Sequence, residues 1–265
     1  MVGGRSPANL TVALTLSLAC ILSGSVVWRR TREQEEAALH VYGNNLDKKE
    51  MAKNLILWLH GLGDSGPNNV PIRNFFSAPE FVNTKWLFPS APSQRVTCNN
   101  GVTMPAWFDL YEIPVTAESP KDEEGILKSV EKVHEMIDNE IATGISPKNI
   151  FVCGFSQGGA LTLASAMLYP KTLGGAAVFS GWVPFNSSFI EKISPEAKQT
   201  PVLWSHGMSD NVVEFSAGQA GPPLLERAGV NCQFKAYPGL GHSLNSEELT
   251  SLQSWIKNRL QSSSQ

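Results

Sequence analysis

Cysteine is sparse in this chain of 265 residues. There are four, Cys20, Cys98, Cys153 and Cys232, too far apart for a CxxC pair or a metal-ligand spacing. That excludes the common zinc and redox motifs. Cys153 and Cys232 fall in apolar, strand-like runs and read as reduced core thiols, a usage that suits a reducing compartment. Charge is modest as well: 17% of residues are charged, the formal net charge is −3, and no basic stripe appears after residue 50. Nucleic-acid binding driven by electrostatics needs clustered Lys and Arg and is set aside. No internal repeat is visible, so repeat architectures are set aside too.

One uncharged, mostly apolar run stands ahead of the rest of the chain, Leu10–Trp28 (LTVALTLSLACILSGSVVW), and it is followed at once by Arg29, Arg30 and Arg32. Such a run as a helix spans the roughly 30 Å hydrocarbon layer. Three readings stand. As a membrane anchor, its basic C-terminal flank would lie in the cytosol. As a signal peptide it fits poorly, because only Arg5 precedes the run and the positive cluster follows it. As a dispensable extension, it would be separate from a domain opening at Met51. Residues 33–49 are polar and read as a linker. The expected organisation is an extension over 1–50 and one domain over 51–265. The expected location is the cytosol, free or anchored, with secretion as the alternative.

From Met51 onward strand-like and helix-like segments alternate. Asn54–His60 (NLILWLH) is a continuous apolar run, as in a strand buried on both faces. Lys85–Phe88 is a shorter one. Within 119–143, Ile126, Val130, Val133, Ile137 and Ile141 draw one helical stripe, with Ser119-Pro120 as the expected start and Gly144 as the stop. The spacing then predicts a strand at Ile150–Cys153, a helix at Leu161–Leu168 and strands at Ala176–Ser180 and Val202–Ser205. A helix over Phe215–Ala228, a strand at Gln233–Tyr237 and a helix over Ser246–Leu260 complete the order. This alternation indicates an α/β fold with a mainly parallel sheet covered on both sides.

Gly154, Ser156 and Gly158 form a G-x-S-x-G motif in IFVCGFSQGGA. A bare motif of this kind is a weak signal, but here a strand precedes it and a small-residue-rich helix follows. A serine on such a sharp turn lies above the sheet, with small neighbours allowing close approach. The same turn aims the Gln157 amide at a developing oxyanion. A serine hydroxyl needs a base, itself oriented by an acid, and in this type of fold they follow in the order Ser, acid, His. Of the two histidines after Ser156, His242 sits in the turn PGLGHS and His206 ends a strand. Asp210 lies in the polar turn MSDN, placed to orient His242. The second oxyanion donor is expected from the Gly-rich turn LHGLGDS, at the Leu62 amide, with His60 shaping that turn. Each such donor is worth about 2.7–4 kcal/mol in comparable sites.

In order along the chain, LHGLGDSG, FPSAPSQ, MPAWFDL, GFSQGGALTL, WSHGMSDNVV and YPGLGHS together resemble the acyl-protein thioesterase and carboxylesterase family of α/β-hydrolases, with the plant members most similar. The matching stretches span nearly everything from Asn54 to Trp255. The resemblance implies an α/β-hydrolase fold, the triad Ser156, Asp210 and His242, an oxyanion hole from the Leu62 and Gln157 amides, and neither metal nor organic cofactor. It also implies that the Pro-rich segment 109–120 is a lid beside an acyl channel, with Trp107 packed beneath it. On this reading Ile113 and Val115 narrow the channel and favour short acyl chains, and Ile72 and Phe76 line it or belong to the core. The expected substrates are acyl esters or thioesters, including S-acylated or acetylated proteins. The alternatives are a long-chain depalmitoylating thioesterase, a protease with the same triad, and a non-catalytic binding protein that retains the fold.

Overall fold

The computed structural model describes residues 52–186 and 189–262. The apolar run 10–28 and the polar linker lie outside these residues. Among the described residues no helix is long and apolar enough to cross a membrane.

In chain order the strands are β1 (Asn54–Leu59), β2 (Thr84–Leu87), β3 (Ser93–Val96), β4 (Val102–Pro105), β5 (Ile150–Phe155), β6 (Gly175–Phe179), β7 (Val202–Gly207) and β8 (Cys232–Tyr237). The helices are α1 (Gly66–Asn69), α2 (Glu123–Ala142), α3 (Gln157–Leu168), α4 (Phe189–Lys192), α5 (Phe215–Gln219), α6 (Gly221–Arg227) and α7 (Ser246–Ser262). Six strands form one sheet in the order β2-β1-β5-β6-β7-β8. Every pairing in it is parallel. The alternation of elements foretells this architecture.

Both faces of the sheet are covered, which is why β1 and β5 read as unbroken apolar runs: all their residues are buried. Successive side chains of a strand point to opposite faces. Leu55, Leu57 and Leu59 of β1 accordingly join Val152 of β5 and Val130, Val133 and Ile137 of α2 in one core. Ile56 and Trp58 join Phe151 and Cys153 in the other, with Leu252 and Ile256 of α7. Cys153 is a buried free thiol, and Cys98 and Cys232 are free and half-buried.

Several boundaries shift by a few residues, and three departures from the sequence reading have a clear cause. Helix α2 starts at Glu123, not at Ser119-Pro120, because Asp122 caps it: its Oδ1 accepts from the Gly125 amide at 3.0 Å and its Oδ2 from the Asp109 amide at 2.8 Å. Ser119 instead closes a local turn by accepting from the Thr116 amide at 2.9 Å. The single helix expected over Phe215–Ala228 is two helices, α5 and α6. Pro222 and Pro223 have no amide hydrogen to continue the ladder, and the break falls just before them. The antiparallel hairpin of β3 and β4 escaped notice because its strands are short and largely polar or exposed.

Helix α7 begins with a reciprocal cap. The Asn245 side chain accepts from the Glu248 amide at 2.8 Å, and Glu248 Oε2 accepts from the Asn245 amide at 3.0 Å. This fixes the chain three residues beyond His242. Glu248 is fully buried, and its Oε1 has no partner. Burial raises its pKa to about 7, with the Asn245 amide opposing the rise. The folded pKa therefore lies above the unfolded one, so the folded state binds the extra proton. The contribution of Glu248 to stability is fully present below the ordinary glutamate range and is lost as pH climbs toward and past 7. Glu248→Gln keeps the oxygen acceptor without the charge. The variant is expected to gain on the order of 1–3 kcal/mol over the parent at pH 8, with the difference shrinking toward pH 5. Urea unfolding at the two pH values measures this, and an equal offset at both would refute it.

Candidate active site

The carboxyl ends of parallel strands all face the same way, and four of them build the site. Ser156 follows β5 and opens α3 with φ 56° and ψ −120°, a conformation that costs a non-glycine residue roughly 1–3 kcal/mol. Neighbouring backbone holds it there. The Ser156 amide donates to the Phe179 carbonyl at 2.8 Å, and the Ala160 amide donates to the Ser156 carbonyl at 3.0 Å. The two motif glycines permit the approach. A Cβ on Gly154 would lie 2.3 Å from the Gly158 carbonyl oxygen, and one on Gly158 would lie 2.1 Å from that of Leu59. Helix α3 thus packs directly against the end of β1.

His242, in the loop after β8, brings Nε2 to 2.9 Å from Ser156 Oγ. Its Nδ1 lies 2.7 Å from Asp210 Oδ2, beyond β7. A carboxylate only accepts, so Nδ1 carries the proton and Nε2 is left to accept from the serine hydroxyl. The other Asp210 oxygen, Oδ1, accepts from the Val212 and Val213 amides, both at 2.9 Å. Burial works to raise the Asp210 pKa, but the bond and charge of His242 and the two amides outweigh it and hold the carboxyl below its ordinary value. The three residues singled out from the sequence meet in one hydrogen-bonded line.

His206 is also buried. Its Nε2 donates to the Val213 carbonyl at 3.0 Å and lies 3.5 Å from Asp210 Oδ2. Burial pushes its pKa down against the raising influence of Val213 and Asp210, which favours the neutral ring. His206 therefore secures the turn that carries Asp210.

The loop after β1 rests against the serine: a Cβ on Gly61 would lie 3.4 Å from Ser156 Cβ. Within it the Gly63 amide donates to Pro105 and the Asp64 amide to Gly61. The Gln157 amide belongs to the first turn of α3, where no helical acceptor exists. The Gln157 side chain, in contrast, is engaged with the backbone of Trp107 and Phe108.

The remaining residues expected around a substrate separate into groups. Ile72 and Phe76 are buried in the core beneath α7, and the Phe76 ring packs on Phe81 and Trp86. Trp107 is buried next to His60, its ring 5.1 Å from the imidazole. Segment 109–120 has no helix, as its prolines suggest, but its alternate positions have different fates. Tyr111 and Ile113 are exposed, at 40% and 48%, whereas Val115 is buried. Val115 is pinned to the Asp210 turn: its amide donates to Val212 at 2.8 Å and its carbonyl accepts from Glu214 at 2.9 Å. His206 has the buried, hydrogen-bonded place expected of it at a strand end, whereas the sequence reading missed the Gln157 side-chain bonds, because a contact across 50 residues leaves no local spacing to read. Among the described residues no cluster of three His, Cys, Asp or Glu side chains could hold a metal ion.

Comparison with known proteins matches residues 46–260 to a family described as phospholipase/carboxylesterase. A protein of Oryza sativa subsp. japonica named as a probable carboxylesterase is 69% identical over 211 residues, covering 80% of this chain and 79% of its own. The crystal structure of Arabidopsis thaliana SOBER1 is 61% identical with a TM-score of 0.77, covering 78% of this chain and 99% of that one. That of Zea mays acyl-protein thioesterase 2 is 32% identical with a TM-score of 0.69, covering 81% and 97%.

The glycine contacts lead to a direct expectation. Gly158→Ala forces a methyl into the Leu59 carbonyl, so unfolding in urea should show a loss of about 1–3 kcal/mol. Ester turnover should fall further than the folded fraction does, because the elbow itself must shift. Wild-type stability in this variant would show that the close approach is dispensable.

Proposed function

The chain belongs to the phospholipase/carboxylesterase family, and from that premise we propose that it is a serine hydrolase of short-chain acyl esters and thioesters, acting through Ser156, His242 and Asp210. The observation that carries this reading is the line from Ser156 Oγ to His242 Nε2 at 2.9 Å and from His242 Nδ1 to Asp210 at 2.7 Å. His242 takes the hydroxyl proton as Ser156 Oγ attacks the acyl carbon. The carbonyl electron pair moves to oxygen, and the Leu62 and Gln157 amides stabilise that oxyanion. Collapse expels the alcohol or thiol, which receives its proton from His242. Water then repeats the sequence on the acyl-enzyme and frees the acid.

Asp210 supports the step without taking a proton. With its pKa held below the ordinary carboxylate value, it stays ionised while His242 becomes an imidazolium.

The short-chain preference rests on segment 109–120, where buried Val115 is tied to the Asp210 turn and Ile113 stands at the surface beside it. A long-chain acyl-protein thioesterase is the competing reading, favoured by the likeness to the maize enzyme of that name. On the short-chain reading the substrates are small carboxylic esters or acetylated proteins, and on the long-chain reading S-acylated proteins.

Hydrolysis of p-nitrophenyl esters from acetyl to palmitoyl by the full chain separates the two. Turnover confined to acetyl and butyryl supports the short-chain reading, and strong activity at octanoyl and beyond overturns it. Ser156→Ala is expected to lower kcat by roughly 10⁴-fold or more. Replacing Ile113 and Val115 together with Ala should raise octanoyl relative to butyryl turnover by about tenfold or more. An unchanged chain-length profile would remove both residues from the acyl channel.

A further inference from the structure

The two oxyanion donors lie on different elements, Leu62 on the loop after β1 and Gln157 at the start of α3. Pairing of β1 with β5 ends at Leu59 and Gly154, before either donor is reached. A third segment, 105–108, bridges the gap. The Trp107 amide donates to Gln157 Oε1 at 2.9 Å, and Gln157 Nε2 donates to the Phe108 carbonyl at 2.7 Å. On the other side Trp107 Nε1 donates to the His60 carbonyl at 2.8 Å, and the Gly63 amide donates to the Pro105 carbonyl at 2.8 Å.

Each end of this bridge is itself fixed. Ser129 Oγ donates to the Trp107 carbonyl. His60 Nε2 accepts from the Ala91 amide at 2.9 Å, so its proton resides on Nδ1, which donates to the Gly61 carbonyl at 2.7 Å. His60 and Gln157 are completely buried, and Trp107 is 3% exposed. Hydrogen bonds in such surroundings are strong, and an unmade one is costly.

We propose that Trp107 is a positioning residue that sets the separation and aim of the Leu62 and Gln157 amides by holding the His60 carbonyl and the Gln157 side chain at once. The proposal rests on the reading of those amides as the oxyanion hole. The indole nitrogen, the only polar atom of the side chain, is spent on the His60 carbonyl. A displacement of about 1 Å in a catalytic group can cost 10²-fold in rate. Removing one oxyanion donor outright costs about 10²–10³-fold. Releasing the bridge is expected to fall between no effect and that loss, at about 10–100-fold.

The test uses Trp107→Phe, which keeps an aromatic ring but removes the indole donor, and Gln157→Met, which keeps length but removes both side-chain bonds. For each variant of the full chain, kcat and KM are measured with p-nitrophenyl acetate. Inhibition by an alkyl trifluoromethyl ketone is measured alongside. Ser156 Oγ adds to that ketone, its proton passes to His242, and the carbonyl pair becomes an oxyanion in the same hole. The proposal expects kcat to fall about 10–100-fold and the inhibition constant to rise by a similar factor, with KM within threefold and the thermal midpoint within a few degrees.

Folded variants whose kcat and inhibition constant both stay within threefold of wild type overturn it. A raised KM with an unchanged inhibition constant overturns it too, by making Trp107 a wall of the substrate pocket. Should Trp107→Phe fail to fold, the same readouts on Gln157→Met decide. Ser156→Ala is assayed in parallel: turnover surviving in that variant would refute the underlying hydrolase reading, an outcome distinct from failure of the Trp107 bridge alone.

Discussion

Helix α3 meets the end of β1 with no side chain between them. Gly158 lies under the Leu59 carbonyl and Gly154 under the Gly158 carbonyl, at separations where any Cβ would overlap backbone oxygen. That contact permits the left-handed backbone of Ser156, which brings its hydroxyl within reach of His242. It also fixes where the loop after β1 runs, because that loop continues from the strand end on which α3 is seated. The rest of the site is assembled on this contact: the bridge through Trp107, the turn that carries Asp210 and the capped start of α7 all secure pieces around a position that backbone packing defines.

Three histidines, two of them buried, divide the labour according to what surrounds their ring nitrogens. His60 donates to Gly61 and accepts from Ala91, so its tautomer is locked and its ring cannot exchange a proton without breaking one of these bonds. His206 donates to a carbonyl, and its Nδ1, pressed against Gly218, has no partner. Burial lowers the pKa of both rings. His242 alone has one nitrogen on a carboxylate and the other on a hydroxyl. The chemistry follows from these partners, since the residue type is the same in all three.

The sheet and its order of elements were legible because burial on both faces writes long apolar runs into β1 and β5 and a 3.6-residue stripe into α2. Ser156, Asp210 and His242 were legible through local turn motifs and chain order. Less legible was whatever depends on distant partners. An aspartate ahead of Glu123 and Glu124 is a local cap signal, but nothing near Asp122 announces that its carboxylate also holds Asp109. Nothing near Gln157 distinguishes an amide aimed at an oxyanion from a side chain that grips residues 50 positions away. Tyr111, Ile113 and Val115 showed a strand-like alternation, but the segment forms no strand, and its environment is decided by one bridge to Val213.

Because the large sheet is wholly parallel, its two ends are chemically unlike. The loops that carry Ser156, Asp210 and His242 crowd the carboxyl ends, while the chain enters the fold at the amino end of β1. Six residues at about 3.3 Å each separate that entry point from the loop after β1, a distance of roughly 20 Å. The point where the chain enters and the line from Ser156 to Asp210 therefore lie at opposite ends of the sheet.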